Sequence, residues 1–344
     1  MDIKVSIIIP VYNVAPYLDV CLSSCINQTF RDIEIIVVND GSTDESLLVI
    51  QKYAENDDRI KVILKENQGL IYARKSGLDV ACGEYIFHLD GDDYLENSAI
   101  EELYNEAVKS DADYVIGNYY RICDNNKLEM KNTNEFKGLF GQDLLLCMFH
   151  YDEWRVWGKL MRKSLFSSVI YRPVVMGEDM FFHMQICLNV KKVIVVDTCL
   201  YNYIYRSGSI TSQSRKVRMN LEFDLVKNIF YILDIYTYNQ YIKDKVYLKF
   251  YHFFLNCIRY KEISLRDILY DYYWNKKEVR SFLWKNKKDF YLIIKVFLKN
   301  TFIASIMANI YLFIIVFSKY MKNLKWTFWE NRLHKKMIHI NFCI

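Results

Sequence analysis

Five apolar runs of strand length lie within the first 116 residues, and each is separated from the next by a stretch with helical spacing. The runs are 5–9 (VSIII), 33–38 (IEIIVV), 60–64 (IKVIL), 85–89 (YIFHL) and 114–116 (YVI). They are rich in β-branched and aromatic residues, which predicts buried strands. The intervening stretches predict helices. Pro16 can open the first, which carries Leu18, Cys21, Leu22, Cys25 and Ile26 on one face; Ser42 or Thr43 can cap the second, and Asn97 the fourth. Strand and helix in strict alternation imply parallel strands joined by right-handed crossovers, so the expected fold is α/β, an open, mostly parallel sheet flanked by helices. Beyond about residue 215 the pattern changes to segments rich in Tyr, Phe, Ile and Lys, with hardly any Gly and no Pro, which predicts helices. The chain is thus expected to divide into residues 1–215 and a mainly helical region, 216–344. Its three prolines (Pro10, Pro16, Pro173) and the lack of a Gly- or Ser-rich linker predict that the two parts pack closely.

In an open α/β sheet a ligand sits at the carboxyl ends of the strands, and the unusual polar residues fall there. Asn13 follows the first run, Asp40 the second, and Asp90, Asp92 and Asp93 the fourth, within LDGDDY. The turn after the first run reads PVYNVAPY and contains no glycine. A dinucleotide fold or a P-loop needs glycines at that turn, so that backbone amides can approach phosphates; both are excluded. A diphosphate would then be held through a cation gripped by carboxylates. Mg²⁺ and Mn²⁺ take oxygen ligands and bind through one or two carboxylates plus substrate phosphates, so the three aspartates offer enough donors. Gly91 would let the backbone turn tightly among them. Taken alone, LDGDD is also compatible with an ordinary acidic turn. Charge is unevenly spread: Lys and Arg number 11 against 24 Asp and Glu through residue 130, but 34 against 17 beyond it. The acidic part suits a solvated surface that includes a cation site, and the basic part suits phosphates or anionic lipid. No nucleic-acid-binding motif accompanies the charge, so nucleic acid is not expected as a partner.

Four segments in order, SIIIPVYN (6–13), VVNDGSTDES (37–46), ENQGLIYARKSGLDVACGEYIFHLDGDD (66–93) and MGEDMFF (176–182), resemble the motif series of inverting family 2 glycosyltransferases with the GT-A fold. The resemblance covers about residues 4–215. It implies transfer of a sugar from a nucleoside-diphosphate sugar, commonly a UDP-sugar, to a saccharide or lipid-linked acceptor, with Mn²⁺ or Mg²⁺ as cofactor, in surface polysaccharide synthesis. It implies further that Pro10, Tyr12 and Asn13 line the pocket for the base, that Asp40 hydrogen-bonds that base, typically uracil, and that Arg74 helps to hold the nucleotide. Asp90 would approach the ribose and metal, Asp92 would be the main metal ligand, and Asp93 would be its neighbour. Asp179 would be the catalytic base, and Glu178 would support it or contact the acceptor. Lys75 stands where many relatives have asparagine, and no role is carried over to it. These placements suit the chemistry. Inversion needs a base to take the acceptor proton on the face opposite the leaving nucleoside diphosphate, whose charge a metal stabilises. Glu178 and Asp179 are equally suited to the acidic first turn of a helix running through Asn189.

Arg206, in YIYRSGSIT (203–211), either reaches a diphosphate with its guanidinium or lies in a surface turn. Trp154 and Trp157, in WRVWGKL, either stack on acceptor sugars or fill a core. Residues 300–318 are uncharged and flanked by Lys299 and Lys319, and basic and aromatic residues follow. Residues 300–336 can therefore attach to a membrane surface, cross it or pack as a buried helix. Nine cysteines without a metal-ligand spacing, and no secretory signal, predict a reduced cytoplasmic chain, placed by that segment at the inner face of the cell membrane. Two other readings lead elsewhere: a sugar-phosphate nucleotidyltransferase, which would need a glycine-rich loop after the first strand, and a catalytically silent nucleotide-binding or scaffold protein.

Overall fold

All five apolar runs form strands. A computed structural model of the chain describes residues 2–123, 126–130, 134–206, 222–259 and 277–286. The first third alternates as expected: β1 (Val5–Val11), α1 (Ala15–Ile26), β2 (Ile33–Asp40), α2 (Ser46–Ala54), β3 (Ile60–Lys65), α3 (Leu70–Val80) and β4 (Tyr85–His88). There follow β5 (Tyr94–Leu95), α4 (Ala99–Ser110), β6 (Tyr114–Cys123), β7 (Asn126–Met130), α5 (Gly141–Tyr151), β8 (Lys159–Arg162), α6 (Glu178–Ile186), β9 (Val193–Tyr205), α7 (Phe223–Ile235), α8 (Gln240–Arg259) and α9 (Lys277–Asn286). Pro16 sits in the first turn of α1 as expected, whereas α2 and α4 begin after Glu45 and Ser98 rather than after the caps predicted for them.

The strands share one sheet in the order β3-β2-β1-β4-β8-β6-β9-β5, with β7 added to β6. From β3 to β4 it is parallel, because each strand is followed by a helix that returns the chain to the same edge. The expectation of a mostly parallel open sheet fails beyond β4. β8 enters antiparallel between β4 and β6, β5 runs antiparallel to β9, and β7 folds back on β6, so the sheet is mixed and curled. β8 follows α5 and the segment 152–158 and runs opposite to both of its neighbours, β4 and β6.

Burial explains the continuous runs. Ile7, Ile8 and Ile9 are each fully buried, so both faces of β1 are covered. Leu18, Cys21, Leu22 and Cys25 of α1 pack on one face, where each large apolar side chain contributes about 1.5–3 kcal/mol. No cysteine among the described residues is in a disulfide.

The chain divides into two compact units, 1–245 and 246–344, and the first takes in α7. Within the second, the rings of Tyr247 and Phe282 lie 5.6 Å apart. No helix among the described residues is long and apolar enough to cross a membrane, and 300–336 lies outside them.

Candidate active site

The carboxyl ends of β1, β2 and β4 meet the amino ends of α3 and α6, and Arg74 of α3 lies where they meet. Its side chain is 1% exposed. Nη2 donates to Asp90 Oδ1 at 3.0 Å, while Nη1 donates to Asp179 Oδ1 at 2.8 Å and Glu178 Oε1 at 3.4 Å. One guanidinium thus ties the end of β4 to the start of α6. Burial works against its charge, but Asp179, Asp90 and Glu178 outweigh that and raise its pKa above the usual value. The carboxylates are strained in turn. Burial, then the neighbouring Asp179 charge, pushes Glu178 up to about 8. Burial, opposed by Arg74, pushes Asp90 up to about 6.

The turn after β4 is held from beneath. A side chain at Gly91 would come within 3.1 Å of the Pro10 carbonyl and 3.2 Å of Val14, so close approach rather than unusual backbone geometry requires the glycine. Asp93 is buried, with Oδ2 accepting from the Tyr201 hydroxyl at 2.6 Å and Oδ1 from the Ile204 amide at 2.8 Å. Both its oxygens face inward. Tyr201 also receives the Asp90 amide at 3.2 Å, and its ring stacks on Trp157 at 4.4 Å. Asp92 faces outward, and Oδ2 takes Arg206 Nε at 2.9 Å and Nη2 at 2.8 Å.

On the other side Gly177 precedes α6 with φ +85°, a left-handed backbone that lets the chain turn sharply into Glu178 and Asp179. The Val156 amide donates to Asp179 Oδ2 at 3.4 Å. Behind Asp179, His183 is fully buried and its ring joins the Asp179 carbonyl at 2.8 Å to the Tyr114 hydroxyl at 2.6 Å. Burial, then the charge on Lys159, lowers the His183 pKa to about 4. Lys159 is itself buried and pairs with Glu153 at 2.8 Å. Trp154 and Trp157 are 9% and 8% exposed, so they are core aromatics and not open platforms for a sugar.

Around the first turn, Tyr12 is half exposed. Asn13 adopts φ 53°, its Oδ1 accepting from the Thr43 amide at 2.8 Å. Pro10 lies buried in β1 beside Val38. Asp40 is buried at the end of β2 and accepts from Lys65 Nζ at 2.5 Å, the Gln68 amide at 3.1 Å and the Gly69 amide at 2.8 Å, so its carboxylate fixes the loop leading into α3.

The structure therefore gathers Arg74, Asp90, Glu178 and Asp179 into one network, links Arg206 to Asp92, and places Pro10 and Asp40 near the ends of β1 and β2 and Tyr12 and Asn13 on the loop after β1. Tyr201, Val156 and His183 carry no local sequence signal, because their roles arise from strands and turns far away in the chain. For a divalent cation, Asp90 and Asp92 offer oxygen donors with side chains 25% and 24% exposed. No group of three or more His, Cys, Asp or Glu among the described residues forms a closed cage. Two open carboxylates fit a cation that shares its coordination with a substrate phosphate, and the guanidinium on Asp92 shows that this oxygen accepts positive charge.

The chain is 36% identical over 232 residues to the glycosyltransferase GlyA of Streptococcus pneumoniae, covering 61% of this chain but only 32% of that protein. It is 32% identical over 276 residues to the cholesterol galactosyltransferase of Borreliella burgdorferi, covering 76% of each. Among solved structures, S. aureus TarS 1–349 in complex with UDP-GlcNAc has a TM-score of 0.59 at 20% identity, covering 89% of each chain. The mannosyltransferase PcManGT of Pyrobaculum calidifontis, in complex with GDP-Man and Mn²⁺, has a TM-score of 0.50 at 13% identity, covering 89% of this chain and 86% of that one. The family profile of glycosyl transferase family 2 matches residues 6–173, and with these relatives it establishes that the chain belongs to that family and is a glycosyltransferase.

Proposed function

We propose that this glycosyltransferase moves a sugar from a UDP-sugar to a hydroxyl of a saccharide or lipid-linked saccharide, with inversion, in the synthesis of a surface polysaccharide. The observation that carries this reading is Arg74, whose one guanidinium holds Asp90 at the end of β4 and Asp179 at the start of α6. Asp179, steadied by Arg74 and the Val156 amide, takes the proton from the acceptor hydroxyl as its oxygen attacks the anomeric carbon. Pro10, Tyr12 and Asn13 form the nucleoside pocket, and Asp40 shapes its floor by holding the loop before α3. Asp90 and Asp92 would hold Mn²⁺ or Mg²⁺, which supplies stabilisation of the leaving diphosphate. Asp93 anchors the turn from below. Arg206, on Asp92, would turn its guanidinium to the diphosphate. TarS with UDP-GlcNAc and PcManGT with Mn²⁺ support the donor and cofactor class. A lipid-linked acceptor would place the enzyme at the inner face of the cell membrane.

The test is a panel of nucleotide sugars with Mn²⁺, scored by nucleotide release and by thermal stabilisation, since a ligand bound only by the native state raises its melting temperature. At least one UDP-sugar should stabilise the protein and turn over. Asp179→Asn should keep that stabilisation and lower turnover about 10²- to 10⁴-fold. Unchanged turnover in Asp179→Asn would remove Asp179 as the base, and stabilisation without turnover in the wild type would favour a silent binding protein.

A further inference from the structure

The upper parts of β6 and β9 pair alongside Trp157, and β9 leads into Arg206, the partner of Asp92. Tyr119 and Arg121 are two apart on β6 and share a face, as do Tyr201, Tyr203 and Tyr205 on β9. The register sets Tyr119 against Tyr201 and Arg121 against Tyr203. Trp157 stacks on Tyr201 at 4.4 Å and Tyr203 at 5.3 Å and meets Tyr119 edge-on at 5.2 Å, so these side chains form one aromatic row. Arg121 extends the row, 4.5 Å from the ring of Tyr205. At one end stands Val156, on Asp179; at the other stands Arg206, on Asp92.

The arginines around the crevice are matched by carboxylates, with one exception. Arg74 has three carboxylates, Arg155 has Glu153, and Arg206 has Asp92. Arg121 has no ion pair or hydrogen bond among the described residues, and its Nε is buried without a partner. A partly buried cation that lacks a counter-charge is costly, and an anionic ligand would remove that cost. One face of the guanidinium lies against Tyr205, which leaves its edge, the fork that matches a carboxylate or phosphate, for the ligand.

We infer that the acceptor carries an anionic group, a sugar carboxylate or a phosphate, and that Arg121 binds it beside the exposed ring of Tyr205. The inference rests on the proposed function, because it needs a sugar acceptor at this crevice. The test uses the full chain loaded with UDP and Mn²⁺, and three matched probes: octyl glucoside, octyl glucuronide and octyl glucoside 6-phosphate. Binding is measured directly, and each probe is also assayed as an acceptor with whichever UDP-sugar turns over. At least one anionic probe should bind ten-fold or more tightly than the neutral one, and which of the two does so separates carboxylate from phosphate. Arg121→Gln should erase that preference, and its effect should fall on the acceptor KM rather than the donor KM. Arg121→Lys, which keeps the charge without the fork, should restore part of it. Equal binding of all three probes by the wild type overturns the inference without any variant, as does a preference that survives in a folded Arg121→Gln. Failure of every UDP-sugar to bind would overturn the proposed function instead, whereas donor turnover without anion preference would overturn only the inference.

Discussion

Arg74 shows what one buried residue can impose. Its three carboxylate partners carry more negative charge than one guanidinium can neutralise, and burial, added to by that surplus, raises the pKa of Glu178 and of Asp90. Arg74→Met should therefore cost about 3–5 kcal/mol, because it leaves buried carboxylates unpaired. Adding Glu178→Gln should recover part of that loss, and urea melts of both single variants and the double variant measure the coupling. If the double variant is no more stable than Arg74→Met, Glu178 is not part of the charge cluster. The site was legible in the sequence only to this depth. The motifs named Arg74, Asp90 and Asp179, but not their single network, since that depends on how β4, α3 and α6 converge. Asp93 and Asp92 look equivalent in LDGDDY, yet one faces inward to Tyr201 and the other outward to Arg206.

At the level of elements, β1 to β4 could be read because strands buried on both faces need unbroken apolar runs. The later strands hide that signal. β8 reads KLMR, β7 is exposed along most of its length, β5 has two residues, and β9 carries polar residues where its edge meets solvent. The antiparallel half of the sheet therefore left no pattern to find. The entry to α6 carries a second constraint. Gly177 has φ +85°, and a side chain there would meet Leu225 of α7 at 2.4 Å. Gly177→Ala should cost about 1–3 kcal/mol from backbone strain together with the clash. Leu225→Ala in the same chain should relieve the clash but not the strain, so thermal melts of the pair should show partial recovery. Full recovery would mean that the backbone conformation is not strained.

For the whole molecule, stability against pH follows from which groups the fold keeps protonated. Unfolded histidines titrate near 6.5, whereas buried His183 stays neutral down to about 4, so acid below 6.5 favours the unfolded chain. Glu178 acts in the opposite sense. The unfolded carboxyl ionises near 4.5, whereas the native one holds its proton up to about 8, so the native state binds more protons between those values and loses stability as pH rises. Below 6.5 the two effects compete. Above 6.5 the His183 effect fades and Glu178 governs the profile up to about 8, with a slope of roughly 1 kcal/mol per pH unit. The wild type should therefore lose stability in urea melts from pH 6.5 to 8 and level off above that, and Glu178→Gln should flatten the slope. A wild-type profile that is flat or rising across this window would show that Glu178 is already ionised in the native protein, with Arg74 holding the full charge of all three carboxylates.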